Sequence, residues 1–223
     1  GGVSKPDCMY TQMGFGQLRA VSPTGTCNPF DESGRGLMVG EGGGFFTLKR
    51  LSDAKAHGDR IYGTICGTGV SNDQFGSLLA PDSKGQVRAL KSAYTAAGWT
   101  PDMVDMIECH ATGTPLGDKV EVESLKQLFG KKQKDQVILG SVKANVGHML
   151  TAAGASGMMK VLLSLKHKRF APTANHINPI PSLEGSPFKV LNKTEEWGER
   201  ADGAPRRAGL SGFGFGGINA HVL

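Results

Sequence analysis

His110 ends an apolar run and opens the turn Ala111-Thr112-Gly113-Thr114-Pro115-Leu116-Gly117-Asp118. His148 ends a second turn, Ser141-Val142-Lys143-Ala144-Asn145-Val146-Gly147, and leads into Ala152-Ala153-Gly154-Ala155-Ser156-Gly157. Either histidine alone would pass for a structural residue. Two histidines and a lysine on glycine- and threonine-rich turns at strand ends are different, because side chains from separate loops can converge there on one small site. The first turn adds two hydroxyls and then a helix start, an arrangement that orients a polar substrate rather than closing a core. His148 reads as the opening residue of a helix. The positive end of the helix dipole would disfavour imidazolium and keep the ring able to donate from a neutral state.

Two further stretches carry possible function. Gly212-Phe213-Gly214-Phe215-Gly216-Gly217 contains a G-x-G-x-x-G match, which by itself suggests dinucleotide binding. The residues after it, Ile218-Asn219-Ala220-His221-Val222-Leu223, read as a strand and not as the helix that fingerprint needs, so the context rejects it. Asn28-Pro29-Phe30-Asp31 to Gly40-Glu41-Gly42 is a second glycine-bearing loop.

The elements that must position these residues alternate between strand and helix. Residues 43–51 and 60–71 read as strands, with a short helix over 52–57 between them. Residues 84–98 place Val87, Leu90, Tyr94 and Ala97 on one helical face, and Gly98 is the stop signal. A short strand over 104–109, a helix over 118–129, a strand over 137–141 and a long helix over 148–168 follow, the last with Met158, Val161, Leu162 and Leu165 on its buried side. Residues 171–187, rich in proline and asparagine, read as an extended surface connector, and two strands close the chain around 206–210 and 218–223. This order predicts an α/β fold whose sheet is covered by helices on both faces.

Composition narrows the class. The chain has 223 residues, 39% of them hydrophobic, enough for a real core in a single unit, and 33 glycines dispersed among turns. The net charge of +5 is mild. Its cationic stretches, Lys131-Lys132-Gln133-Lys134 and Lys166-His167-Lys168-Arg169, fall at expected helix ends, which argues for solvated surface and against nucleic acid as a partner. Basic residues near a site mouth could still attract an acidic carrier protein. The four cysteines, Cys8, Cys27, Cys66 and Cys109, form no C-x-x-C pair, and Cys109-His110 is too tight to start a tetrahedral metal site, so no metal is expected. Scattered thiols fit a cytoplasmic protein. No apolar run approaches the roughly 18–20 residues of a membrane span. The start, Gly1-Gly2-Val3-Ser4, carries neither signal peptide nor initiator methionine, so a piece of a longer protein is expected.

Taken together, Glu108-Cys109-His110-Ala111-Thr112-Gly113-Thr114-Pro115-Leu116-Gly117-Asp118, Lys143-Ala144-Asn145-Val146-Gly147-His148 and the Gly212–Gly217 tail resemble the β-ketoacyl synthase (ketosynthase) family, in its C-terminal part. Cys109, Ala111, Ala144 and Val146 depart from the usual motifs, as do Arg35 and Leu37 in the Asn28–Gly42 loop. The resemblance implies a thiolase-like α/β fold, here the C-terminal half of the domain over 1–223 with a mixed sheet covered by helices. It implies His110 and His148 as catalytic histidines and Lys143 as the family's buried lysine, paired with Glu121, with Glu41 and Asn145 as structural support. Thr112 and Thr114 would bind the phosphopantetheine arm of an acyl carrier protein. Phe215, with Gly214 and Gly216, would form the gating loop and half of the oxyanion hole.

The family's nucleophilic cysteine has no match among the four present and would lie just upstream of Gly1, in a missing N-terminal half. The activity implied is decarboxylative condensation of a malonyl-type thioester with an acyl-enzyme, with no cofactor bound directly and with a homodimer as the expected assembly. The motifs look more like a multifunctional polyketide or polyunsaturated fatty-acid synthase than a stand-alone enzyme. A non-condensing chain-length-factor-like subunit or an inactive structural fragment is the alternative.

Overall fold

The computed structural model describes residues 1–6, 8–74, 81–130 and 137–223. In chain order its elements are β1 (Gly2–Ser4), α1 (Met9–Gln17), β2 (Gly42–Gly44), α2 (Leu51–Ala56), β3 (Thr68–Asn72), α3 (Ser83–Ala97), β4 (Met106–Glu108), α4 (Pro115–Phe129), β5 (Val137–Gly140), α5 (Lys143–Val146), α6 (Ala153–His167), β6 (Arg169–Phe170), β7 (Phe188–Val190), β8 (Glu195–Glu196), β9 (Ala208–Gly214) and β10 (Ile218–Val222). The main sheet has six strands in the order β3-β10-β9-β4-β5-β7. It is mixed: β9, β4, β5 and β7 run parallel, and β10 lies antiparallel to both β9 and β3.

Alternation along the central strands sends side chains to two cores. Ile107, Val137 and Leu139 join Leu90, Tyr94, Val122, Leu125 and Phe129 from α3 and α4 on one face. Met106 and Ile138 meet Leu191 and Trp197 on the other, with Leu165 of α6 against them. Each fully buried aliphatic contributes about 1.5–3 kcal/mol relative to exposure, so this two-sided burial accounts for the covered sheet expected above. The helix signals work as read. Asp82 caps α3 by accepting the Lys84 N–H at 2.9 Å, and Gly98 ends it with φ 65°. The next helix starts earlier than 118, at Pro115, where the missing N–H of proline costs nothing.

Four expectations need correction. In 43–51 only Gly42–Gly44 forms a strand, paired with β1, and Phe45 and Leu48 beyond it are 75% and 74% exposed. In 60–71 the strand is confined to Thr68–Asn72. Alternation marks residues suited to a sheet, but a ladder needs a neighbour, and among the described residues no strand pairs with 45–50 or 60–67, where Cys66 and Gly67 bond to Leu223 alone at the end of β10. The third correction is α6, which begins at Ala153 after a 3-10 turn at Leu150–Ala152, so His148 does not open a helix. Its fully buried stripe is Ala153, Gly157, Lys160 and Ser164, while Met158, Val161, Leu162 and Leu165 are half-buried; at Gly157 the sheet lies too close for a larger side chain. A Cβ on Gly157 would stand 2.7 Å from Leu210 Cδ1. Lastly, the connector over 171–187 does not run wholly over the surface: Thr173, His176, Ile180 and Ser186 are buried, Thr173 N–H donates to Leu191 O, and Asp31 accepts the N–H groups of Ile177 and Asn178. Lys166 to Arg169 are exposed at the end of α6 as expected, whereas 131–134 lies outside the described residues.

Candidate active site

The loop after β4 is tied down by carboxylates. Cys109 N–H continues the ladder to Gly140 O at 2.7 Å, and the chain then leaves the sheet at His110. Glu121 on α4 accepts the N–H groups of His110 and Ala111, both at 2.8 Å, one on each oxygen. Asp118, one turn earlier, accepts Thr112 and Gly113 on Oδ1 at 3.0 and 3.2 Å and Phe30 on Oδ2 at 2.8 Å. Ser141 Oγ donates to the Ala111 carbonyl at 2.7 Å. The helix that follows the loop therefore reaches back and holds it, amide by amide.

A second loop brings the other two residues. Its single turn α5 carries Lys143, and Gly147 leaves it with φ 72°. His148 N–H donates to Met38 O at 2.6 Å and its carbonyl accepts Gly40 N–H at 3.1 Å. Glycine is required at 40, since a Cβ there would meet Val146 O at 2.2 Å. The Leu150 N–H donates to His148 Nδ1 at 3.1 Å. That bond places the ring's lone pair at Nδ1 and its proton at Nε2, leaving Nε2 as a donor.

These loops meet. The His110 and His148 rings lie 5.2 Å apart, edge to face at 80°. Lys143, 3% exposed, donates from Nζ to Cys109 O at 3.3 Å. Burial, then the Lys143 ammonium and His148, hold the His110 pKa well below its ordinary value. Burial and Lys143 pull His148 down to about 3. Both rings are thus neutral at pH 7, and the cause for His148 is burial and a neighbouring cation rather than the helix dipole. Burial also lowers Lys143, against the opposing pull of Glu108 and Glu121.

Other site residues fall differently. Glu121 makes no contact ion pair with Lys143. Both its oxygens serve backbone amides, and burial raises its pKa to about 7 against those bonds and the nearby ammonium. Thr112 Oγ1 and Thr114 Oγ1 share a hydrogen bond at 3.0 Å at the loop's mouth. Phe215 sits in the β9–β10 turn between Gly214 and Gly216, 50% exposed, with its ring 5.6 Å from Phe15. The aromatic ring that touches a site histidine is Phe213, 5.8 Å from His110. Glu41 and Asn145 are exposed, and Asn145 lines a cleft of about 590 Å³ between β2 and α6 that includes neither histidine. Cys109 is buried, its thiol pushed well above the usual range by burial and then by Glu121 and Glu108, and Cys27 is pushed up to about 12 by burial.

Three contributors escape a reading of the sequence. Asp118 is visible there as an acidic residue in a helix's first turn, where a carboxylate can reach back to loop amides. Phe213 shares its face of β9 with alternate residues and could be weighed with Phe215. The buried pair Glu108–Lys160 joins residues far apart in sequence and leaves no local signal.

Comparison with known proteins agrees with this geometry. Residues 62–176 match the family model for the β-ketoacyl synthase C-terminal domain, and residues 1–54 match that for the N-terminal domain. The fold is thiolase-like, and the chain belongs to the β-ketoacyl synthase family. It is 44% identical over 218 residues to a phenolphthiocerol/phthiocerol polyketide synthase of Mycobacterium tuberculosis, covering 94% of this chain and 11% of that protein. It is 40% identical to a polyunsaturated fatty acid synthase of Thraustochytrium sp., covering 100% of this chain and 11% of that one. Among solved structures, the ketosynthase from module 6 of the bacillaene synthase of Bacillus subtilis superposes with a TM-score of 0.92 at 39% identity, covering 99% of this chain and 40% of that chain. The chain thus spans about two-fifths of that ketosynthase and about a tenth of these two synthases.

Proposed function

We propose that these residues are the later portion of a ketosynthase domain that performs decarboxylative Claisen condensation. An acyl group is first held as a thioester on a cysteine supplied by another part of the domain, since the buried thiols of Cys27 and Cys109 are pushed away from thiolate and the exposed Cys8 and Cys66 stand on neither histidine loop. A malonyl-type thioester, carried on the phosphopantetheine of an acyl carrier protein, then enters past the Thr112 and Thr114 hydroxyls. As its terminal carboxylate leaves as carbon dioxide, the electron pair of the broken bond moves into an enolate whose oxygen accepts hydrogen bonds from His110 and His148. The carbanion attacks the acyl carbonyl, the cysteine leaves as thiolate, and a β-ketoacyl thioester results. Burial, and then the charge of Lys143, disfavour imidazolium at both rings, so neither donor is lost by protonation. Phe215 and the glycines beside it form the gate. The working assembly is a cytoplasmic homodimer completed by the rest of the domain.

The observation that carries this reading is the meeting of two neutral imidazoles 5.2 Å apart, with the buried ammonium beside them. Its test is His148→Ala in the intact synthase. Loss of one preorganised donor costs on the order of 10²–10³ in rate, so malonyl decarboxylation should fall by that factor while self-acylation from an acyl carrier stays measurable. Unchanged decarboxylation would overturn the reading.

A further inference from the structure

Glu108 and Lys160 form a buried ion pair that no role above uses. Glu108, the last residue of β4, is 1% exposed, and Lys160, in the middle of α6, is 8% exposed. Lys160 Nζ lies 2.8 Å from Glu108 Oε2, off the axis of an aligned hydrogen bond, so the contact is one of charge. The other oxygen, Oε1, accepts the Val142 N–H at 2.5 Å. Two glycines make the space. A Cβ on Gly140 would stand 2.7 Å from Lys160 Nζ, and one on Gly157 would stand 3.3 Å from Glu108 Cγ. Burying two charges is expensive, and apolar residues of the same volume commonly give equal or better stability, so stability alone is a weak account of the pair.

Its location supplies another account. Glu108 precedes His110 by two residues on the same strand exit, Val142 immediately precedes Lys143, and Lys160 lies on the helix that follows His148. One carboxylate thus joins the strand exit that carries His110, the turn that carries Lys143 and the helix that follows the His148 loop. The pair also bears on Lys143, because Glu108 helps hold the Lys143 ammonium against its burial. We propose that Glu108 and Lys160 are a positioning pair that sets the spacing between the His110 loop and the Lys143–His148 loop, so that both imidazoles reach one substrate oxygen. This rests on the ketosynthase reading.

The test uses the intact synthase, with malonyl decarboxylation, self-acylation and the thermal midpoint measured together. The double variant Glu108→Gln/Lys160→Met leaves no lone buried charge and keeps an acceptor for the Val142 N–H. It should retain its thermal midpoint and self-acylate within about twofold of wild type, while kcat for decarboxylation falls about tenfold or more with KM within about twofold. Lys160→Arg keeps the charge but changes the reach, and should lose several-fold in kcat, which reports independently if the double variant does not fold. Wild-type decarboxylation in either folded variant, or a parallel fall of both activities, overturns the proposal. A wild-type synthase that does not decarboxylate malonyl carrier would instead sink the ketosynthase reading, and this proposal with it.

Discussion

His221, on β10, provides a quantitative check on the buried histidines. It is fully buried, stacked on Tyr94 with centroids 5.9 Å apart, and it shares a 3.0 Å hydrogen bond with Ser211 Oγ through Nδ1. Burial holds its pKa down to about 3, from 6.5. Between pH 7 and pH 5 the folded state keeps this ring neutral, whereas the unfolded chain takes up a proton below 6.5. The stability it contributes is therefore complete above 6.5 and is lost as pH falls toward 3. The limiting slope of about 1.4 kcal/mol per unit, applied from 6.5 to 5, gives a loss of about 2 kcal/mol. His148 behaves alike, while Asp118 and Glu121, raised to about 6 and about 7 by burial, act in the opposite sense because they hold protons that the unfolded chain releases. A single acid curve mixes these contributions. His221→Asn separates one of them, because the amide still offers Ser211 a partner but does not titrate. Urea unfolding of the intact ketosynthase at pH 7, 6 and 5 should show the variant less stable at pH 7, from lost ring burial, with the gap to wild type shifting by about 2 kcal/mol in the variant's favour by pH 5. Parallel pH dependences would refute the argument that a buried neutral imidazole sits there.

Cys109→Ala should condense substrates within about threefold of wild type, at a stability cost of about 1 kcal/mol, because the thiol is buried and unreactive. Turnover abolished by alkylation at Cys109 would make that residue the nucleophile. Gly157→Ala gains about 1 kcal/mol of helix propensity but forces a methyl to 2.7 Å from Leu210 Cδ1, an overpacking cost of about 1–3 kcal/mol. The thermal midpoint should drop, and an equal or higher midpoint would mean that α6 stands further from β9.

What could be read in advance followed from local rules. The stop at Gly98, the strands around Ile107 and Leu139, and the hairpin closing the chain each carry their signal within a few residues. The histidine turns were legible too, because glycine, threonine and a following helix start concentrate function in one short stretch. Residues 45–50 and 60–67 were misread because a strand is a property of a pair and not of a segment. The apolar face of α6 was misassigned for a related reason: periodicity shows which residues repeat together, but the neighbour's distance decides whether leucine or glycine faces it. That the Phe213 ring lies against His110 is a matter of strand register and turn shape that composition does not carry.

The anchoring of the His110 loop by Asp118 and Glu121 also bears on how this site can vary through evolution. Every one of those bonds is made to a backbone N–H, at His110, Ala111, Thr112, Gly113 and Phe30. An amide hydrogen is common to every amino acid except proline, so the scaffold is nearly blind to which side chains the loop displays. Side chains such as those at Cys109 and Ala111, both packed in the core, can therefore change without loss of the amide bonds that hold the loop. Two kinds of change escape that tolerance: proline at an anchored position, which removes the donor, and loss of either carboxylate, which releases several donors at once. Selection on substrate choice is thereby uncoupled from selection on catalytic geometry, a useful property for a domain reused across synthases that make different products.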